Sequence, residues 1–274
     1  MDFNRLQELV DDSQDKLFSV TGAPSNRFVL VNGQLAPTIQ MNTAEWVRFR
    51  IIWAAWLLET LDFSVPGCEM QLLAKDGIYI RDFPRRISSA PIVEGGRADI
   101  MVKCTNPSTS ININGAGQVI ATIETTAGPT IASESLQSWS PNFPTYLADL
   151  RTMDPTPGCS CQTEFGGNAV NDRRFEESKT FHESHIGAVV DRELIFGNHP
   201  YHQHVYAFQL ISVFNDKSGY DKIGDWHDVV RGNGLICYQP TGFTGKIMVH
   251  CHRLLHEDSG MMAIEMVHPS DTSI

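Results

Sequence analysis

The chain has 274 residues, 42% of them hydrophobic, and its 21 basic and 32 acidic residues give a formal net charge of -11. This length allows about two domains with buried cores. An acidic protein gains nothing from counterion release on a phosphate backbone, which argues against a nucleic-acid partner. No apolar run reaches the roughly 18 residues of a membrane-spanning helix, so no membrane span is predicted.

The pattern of the chain changes at residue 27. Residues 1–26 are polar and mixed, and they predict an N-terminal extension without the basic and apolar segments of a secretory signal. From residue 27 to residue 130, short runs rich in Val, Ile, Leu and Phe alternate with turns such as Asn32-Gly33. This spacing is typical of an all-β sandwich rather than of βαβ units.

A connecting segment and a second block of strands follow. Residues 131–167 are predicted to form a linker, because they include a stretch rich in Ser and Pro. A linker of this length is usually functional or wraps a neighbouring surface. Residues 168–274 again contain short apolar runs separated by turns. The chain is therefore predicted to be all-β, with two β-sandwich domains joined by a long linker.

The cysteines outside the C-terminal motif leave several interpretations open. Cys68 and Cys104 lie in strand-like segments and are candidates for a disulfide, although connectivity cannot be read from sequence. Cys159 and Cys161 lie in the predicted linker. They are open to metal binding or redox chemistry, but linker cysteines of this kind are more often structural or paired elsewhere.

Histidine is confined to the C-terminal part of the chain. All ten histidines lie between His182 and His268, so metal chemistry is predicted for the second domain alone. The densest motif is His250-Cys251-His252. On a β-strand, side chains alternate between faces, so both histidines would point to one side and the cysteine to the other. One strand would then serve two metal sites joined through Cys251.

A second histidine cluster matches the first. His202 and His204 are two residues apart and share a face on a strand, whereas His199 follows a turn and can face the other way. His199 can therefore join Cys251 and the two potential ligands His256 and Met261.

Two imidazoles, a thiolate and a weak axial thioether form the ligand set of blue-copper sites. Zinc would more often have four close ligands at other spacings. A lone histidine is more often a satisfied core residue, but two matched clusters around one cysteine favour metal binding. The His182-Glu183-Ser184-His185 segment is better explained as a solvated loop than as an additional copper site.

At these motifs the chain resembles the multicopper oxidases. Residues 199–204, His-Pro-Tyr-His-Gln-His, are similar to the family's His-Pro-x-His-x-His motif. Residues 250–261 resemble its C-terminal copper signature, in the form with an axial Met found in bilirubin oxidases and bacterial laccases. Shorter matches such as Gly95-Gly-Arg-Ala-Asp99 resemble the middle domain. The resemblance covers most of residues 27–268 and implies two cupredoxin-like Greek-key β-sandwich domains.

The resemblance also implies roles for individual residues. The type 1 copper, which takes single electrons from the substrate, would be held by His199, Cys251, His256 and Met261. The type 2 and type 3 coppers of a trinuclear cluster would be held by His202, His204, His250 and His252. Electrons would pass from the type 1 site through Cys251 to its flanking histidines.

Asp228 completes the candidate catalytic residues Cys251, His250 and His252. It would orient a ligand imidazole from behind or accept a proton from a phenolic substrate, and a plain turn carboxylate is an equally good interpretation. The partners implied are a small phenolic or metal-ion reductant and dioxygen, and the family's usual location is extracellular or periplasmic.

The chain departs from the family in its number of histidine pairs. Members that reduce dioxygen to water use eight histidines in four His-x-His pairs, and this sequence has two such pairs. We expect the first cupredoxin domain to be missing, so that another domain or subunit would have to complete the cluster. The leading hypothesis is a laccase-like multicopper oxidase. The alternatives are a non-catalytic copper-binding or electron-transfer cupredoxin, and a structural module that binds no metal.

Overall fold

The computed structural model describes residues 29–55, 60–106, 111–127, 135–195, 197–212 and 218–270. The predicted N-terminal extension, residues 1–26, lies outside the described residues. Strands dominate the described part of the chain, and they form two groups that differ in their sheets and in their cores. No helix among the described residues has the length and apolar character needed to cross a membrane.

The N-terminal strand group is built from twelve short strands of the described residues. They are β1 (Leu30–Val31), β2 (Gln34–Leu35), β3 (Thr38–Asn42), β4 (Trp46–Ile52), β5 (Leu61–Phe63), β6 (Glu69–Lys75), β7 (Ile78–Tyr79), β8 (Arg85–Arg86), β9 (Ala90–Ile92), β10 (Arg97–Lys103), β11 (Ile111–Gly115) and β12 (Gln118–Thr126). One sheet has the order β4-β10-β6-β7, with β8 also paired to β6, and another has the order β11-β12-β3.

Alternation along β10 explains how this group forms its core. Ala98, Ile100 and Val102 are buried, whereas the intervening Asp99 and Met101 are partly exposed. Successive side chains of a strand point to opposite faces, so a period of two places one apolar face against the second sheet. The disulfide predicted as a candidate is present and joins Cys68 and Cys104.

The C-terminal strand group follows a short 3-10 helix at Thr145–Leu147. Its strands are β13 (Cys161–Gly166), β14 (Ala169–Val170), β15 (Thr180–His185), β16 (Val190–Ile195), β17 (Pro200–Gln203), β18 (Phe208–Leu210), β19 (Trp226–His227), β20 (Val229–Arg231), β21 (Gly234–Tyr238), β22 (Gly245–Cys251) and β23 (Met262–His268), and one helix, α1 (Leu254–Asp258), lies between the last two. The sheets have the orders β14-β13-β16-β21-β18-β19 and β15-β23-β22-β17-β20.

The predicted linker is partly incorporated into the C-terminal strand group. Strand β13 falls within residues 131–167, yet it pairs in parallel with β16. Upstream of it, Leu147 and Leu150 are buried in a small core with Trp226. This segment therefore packs on the second group rather than spanning open solvent. The division of the chain at residues 130 and 168 stays a prediction.

Buried ion pairs hold the two groups together. Lys75 of β6 is 1% exposed and lies 2.7 Å from the carboxylate of Asp225 and 2.8 Å from that of Asp221. Arg85 adds a contact of 2.6 Å to Asp225. Burial alone would raise the pKa of Asp225, but Lys75 and Arg85 lower it to about 2. Removing one partner of such a network leaves an uncompensated buried charge, so these contacts fix the relative position of the groups.

Candidate metal centres

The first donor group combines one thiol and two imidazoles. Cys251 Sγ lies 3.6 Å from His199 Nδ1 and 3.8 Å from His256 Nδ1, and the two imidazole nitrogens are 3.1 Å apart. A metal bound at about 2.0–2.1 Å from nitrogen and about 2.3 Å from sulfur requires donors separated by roughly these distances. The three side chains are therefore already arranged around one point.

The strand and helix around Cys251 produce this arrangement. On β22, Ile247, Val249 and Cys251 alternate into the core, so the thiol faces inward. The chain then turns into α1, which carries His256. Two backbone hydrogen bonds close the loop: Cys251 N donates to Met261 O at 3.1 Å, and Met261 N donates to His256 O at 2.9 Å.

Met261 is the fourth predicted ligand of this group. It is fully buried and belongs to the same apolar cluster as Cys251. Its backbone bonds to Cys251 and His256 hold it beside the two ligand-bearing segments. A buried thioether at this place matches the weak axial ligand that accompanies His₂Cys copper sites.

The second donor group consists of imidazoles alone. Donor nitrogens of His202, His204 and His250 lie within 4.8 Å of one another. Antiparallel pairing of β17 and β22 places His202 directly opposite His250. Nε2 of His204 lies 3.0 Å from Nε2 of His250. Cys251 follows His250 on β22, and the two side chains point to opposite faces of this strand. The two donor groups therefore lie on opposite sides of β22.

Hydrogen bonds set which nitrogen of these rings is free. His202 Nδ1 donates to the backbone oxygen of Asp228 at 2.8 Å. His250 Nδ1 lies 3.1 Å from its neighbour's backbone oxygen and 3.1 Å from a carboxylate oxygen of Glu257. With Nδ1 protonated in both rings, each keeps the Nε2 lone pair for a metal. Partners of this kind fix the tautomer and orientation of ligand histidines.

His252 stands beside this group without joining the converging nitrogens. Its ring centroid lies 5.4 Å from that of His202 and 5.7 Å from that of His250. His252 Nδ1 is buried and has no hydrogen-bond partner among the described residues. Strand β22 ends at Cys251, so His252 lies beyond the regular alternation that the sequence predicts. A buried imidazole nitrogen without a partner is suited to a metal.

Gly95 of the N-terminal group lies against the His252 ring. A Cβ at residue 95 would be only 2.4 Å from His252 Nε2, and the backbone there has φ +79. Glycine is the residue that permits both the left-handed backbone and this close approach. Gly95 lies in a stretch that resembles the family, but its contact with a histidine far along the chain could not be read from the sequence.

Burial favours the neutral form of four of these imidazoles. It lowers the pKa of His199 to about 4, with His256 adding to the shift, and it lowers the pKa of His202 to about 3, with help from His250. Burial also lowers the pKa of His204 and His256. Neutral imidazoles offer their lone pairs to a metal without competition from protons at neutral pH.

Burial shifts the pKa of the Cys251 thiol in the opposite direction. Burial raises the pKa of Cys251 to about 12. Metals bind the thiolate, so an ion that binds here must displace the thiol proton. The donor set of one sulfur and two nitrogens selects a soft or borderline ion, and copper fits it.

Family models described as multicopper oxidase match the chain twice, at residues 6–133 and at residues 153–271. The chain belongs to the multicopper oxidase family. Copper is therefore the cofactor that the two donor groups fit, and the family is one of oxidoreductases. A comparison with curated protein sequences finds no match.

Solved multicopper oxidases share the fold. A multicopper oxidase from Campylobacter jejuni, described as a metallo-oxidase, has a TM-score of 0.68 and 21% identity, over 89% of this chain and 57% of its own. McoA from Aquifex aeolicus has a TM-score of 0.72 and 19% identity, over 89% of this chain and 59% of its own. A laccase-like CueO from Ochrobactrum sp. has a TM-score of 0.69 and 19% identity, over 88% of this chain and 60% of its own.

These matches confirm the predicted all-β fold of cupredoxin-like sandwiches. At about one-fifth identity, the similarity establishes the fold and not the substrate. The chain spans less than two thirds of the length of these multicopper oxidases.

Residues behind the histidines are where sequence reasoning was least complete. Orientation of a ligand imidazole was one of the open interpretations of Asp228. Its backbone oxygen contacts His202, and its carboxylate is bound by Arg97. Arg97 and the Glu257 contact with His250 were not predicted. Arg97 did lie in a stretch that resembles the family, but nothing in its local pattern indicated its partner.

Proposed function

We propose that the chain provides the type 1 copper site and half of the trinuclear site of a laccase-like multicopper oxidase. The type 1 ligands would be His199, Cys251, His256 and Met261. The second site would take His202, His204, His250 and His252. The observation that carries the proposal is the position of Cys251: its thiol belongs to the first donor group, while the preceding residue, His250, belongs to the second.

Copper, when bound, supplies reversible one-electron redox chemistry. The protein's part is to hold the donors at fixed separations and in the right protonation state. Cys251 and His250 are consecutive, so a short covalent path joins the sulfur of one group to an imidazole of the other. The proposed electron path from substrate to the dioxygen site follows these bonds.

The His256 edge of the first donor group is open to a small reductant. His256 is only partly buried, and Leu254 and Leu255 beside it on α1 are 41% and 40% exposed. A small reductant could therefore approach His256 without entering the core. We propose a phenol or a reduced metal ion as the class of substrate, since a single-electron site needs a donor that is stable after losing one electron.

The second group needs further donors to become a complete trinuclear site. Four histidines in two His-x-His pairs are half of the set that the family resemblance implies. We propose that the remaining pairs come from another cupredoxin domain or another subunit. Dioxygen reduction would then depend on that partner, whereas the first site would form without it.

The alternative is a copper-binding or electron-transfer cupredoxin without oxidase activity. It needs no further histidine pairs, because a lone type 1 site is sufficient for electron transfer. Oxygen uptake with a phenolic donor separates the two functions. The oxidase proposal predicts uptake once the missing pairs are supplied, while the alternative predicts reversible one-electron redox and no uptake.

Copper loading tests the type 1 site directly. We expect the loaded chain to show a strong thiolate-to-copper absorption band, and Cys251→Ser to abolish it. Cys237→Ser is the matched control, since Cys237 is also free and buried. A band that survives Cys251→Ser, or that is absent from the loaded wild type, would disprove the assignment.

A further inference from the structure

A third polar site of the C-terminal group surrounds Cys161 and shares no side chain with the two donor groups. Cys161 is the first residue of β13 and is partly buried. In the parallel pairing with β16 its partner is Arg192, and Arg192 Nε donates to Cys161 Sγ at 3.2 Å. A guanidinium beside a sulfur stabilises the thiolate over the thiol.

Arg192 cannot move away from this sulfur. It occupies a core-facing position of β16 and is fully buried. Its remaining nitrogens are engaged by neighbours that are themselves buried, namely Tyr201, Gln203, Tyr238 and Glu265. Only Nε points to Cys161. The cation is therefore fixed at the thiol by the packing of the whole core.

His182 supplies a second potential cation. Its side chain is 9% exposed, and neither ring nitrogen makes a hydrogen bond of ordinary geometry among the described residues. Nδ1 lies 3.4 Å from Glu265 Oε1. Burial lowers the pKa of His182, but contact with Cys161 and Glu265 outweighs burial and raises it to about 9.

The pKa of the Cys161 thiol shifts in the opposite direction to that of His182. Burial alone would raise the pKa of Cys161, yet Arg192 and His182 lower it. The other free cysteines of the described residues differ: burial raises the pKa of Cys159, Cys237 and Cys251. The two shifts favour a thiolate at Cys161 beside an imidazolium at His182, at the margin of the core.

We propose that Cys161 is a peroxide-reactive thiolate, held by Arg192 and assisted by His182. The sulfur attacks one oxygen of hydrogen peroxide, so that an S–O bond forms while the O–O bond breaks. The leaving hydroxide takes a proton from the His182 imidazolium and departs as water. The sulfur loses two electrons and becomes a sulfenic acid, and the peroxide is reduced. This activity needs no copper and is independent of the proposed oxidase function.

The test uses the 274-residue chain, free of copper and with a chelator present, so that bound metal cannot oxidise the thiols. Hydrogen peroxide is added at neutral pH, and sulfenic acid is trapped with dimedone and located by peptide mass spectrometry. We expect labelling of Cys161 well before Cys159 and Cys237. His182→Gln should slow the labelling of Cys161 by about tenfold, the change that accompanies one pKa unit of lost thiolate stabilisation.

His185→Gln is the matched control, because His185 lies on the same strand, β15, and should leave the rate unchanged. Equal labelling of the cysteines in the wild type, or an unchanged rate in His182→Gln, overturns the proposal. If His182→Gln does not fold, alkylation of the wild type by iodoacetamide decides. A Cys161 rate that stays high below pH 7 supports the proposal, and a rate that rises only near the ordinary thiol pKa of about 8.5 overturns it.

Discussion

Arg97 donates two hydrogen bonds, each 2.6 Å long, to the carboxylate of Asp228. The two residues belong to different strand groups, and Asp228 in turn accepts a hydrogen bond from His202 through its backbone oxygen. Burial raises the pKa of Asp228, although Arg97 opposes the rise. The N-terminal group, which contains no histidine, thus supports a proposed copper ligand of the C-terminal group from behind.

Replacing Arg97 should weaken metal binding by the imidazole group. In Arg97→Gln the Asp228 carboxylate loses its bidentate partner, and the backbone oxygen that orients His202 becomes less fixed. Changes in residues that orient a ligand typically cost about 10–100-fold in metal affinity. We expect a loss of this size in copper titrations that follow the imidazole-bound signal, with the thiolate-to-copper band unchanged.

Arg48→Gln is the control for this prediction, because Arg48 pairs with Asp99 on the exposed side of the same sheet. An exposed ion pair contributes little, so copper affinity should not change. Equal losses in the two variants would remove Arg97 from the support of His202.

Gly95 offers a second test of contact between the strand groups. In Gly95→Ala the new Cβ would overlap the His252 ring, at 2.4–2.6 Å from three of its atoms, and the residue would also keep a left-handed backbone. Gly77→Ala has a similar φ of +83 but places its Cβ in open space. The backbone cost of about 1–2 kcal/mol is common to both.

The difference between these two alanine variants isolates the contact with His252. We expect Gly95→Ala to be the less stable in urea unfolding and to bind less copper at the imidazole group. Gly77→Ala should lose stability but bind as much copper as the wild type. If both variants lose the same stability and keep the same copper, the ring does not depend on the space at Gly95.

Sequence reasoning was strongest where chemistry follows local periodicity. The alternation of His250 and Cys251 predicted two faces, and the structure places their side chains in two different donor groups. His252 departs from the pattern because the strand ends before it. Contacts such as Arg97 with Asp228 join residues 131 apart in sequence, and no local pattern encodes them. For the same reason, the burial of Arg192 at a core position could not be predicted from the sequence, since its partners lie on several other strands.

Met261 should tune the proposed type 1 site without holding it together. A thioether donates weakly to the oxidised ion, so replacing it with leucine should raise the reduction potential of bound copper. Leucine and methionine have similar volumes, and the swap usually costs less than about 1.5 kcal/mol. Met262→Leu is the control, because residue 262 is adjacent but only partly buried.

Redox titration of the thiolate-to-copper band measures both methionine variants. We expect Met261→Leu to keep the band and to shift the potential upward, while Met262→Leu matches the wild type. If the reduction potential shifts in Met262→Leu and not in Met261→Leu, Met261 is not the axial ligand.

Glu265 should make stability fall in acid. Burial alone would raise its pKa, but Arg192, His182 and Tyr238 outweigh burial and lower it from 4.5 to about 2. A carboxylate with a depressed folded-state pKa stabilises the protein above its unfolded pKa and loses that effect as pH falls through the folded value. The contribution is about 3 kcal/mol, fully present above pH 4.5 and lost as the pH approaches 2.

Urea unfolding of the wild type and Glu265→Gln between pH 7 and pH 3 measures this contribution. At pH 7 the variant leaves Arg192 buried without its anion, and we expect it to be less stable by about 3–5 kcal/mol. The difference should shrink below pH 4.5, because the wild type alone loses the Glu265 charge. Glu183→Gln, at an exposed pair with His268, should follow the wild type throughout. A stability difference between Glu265→Gln and the wild type that stays constant down to pH 3 would show that folding does not lower the pKa of Glu265.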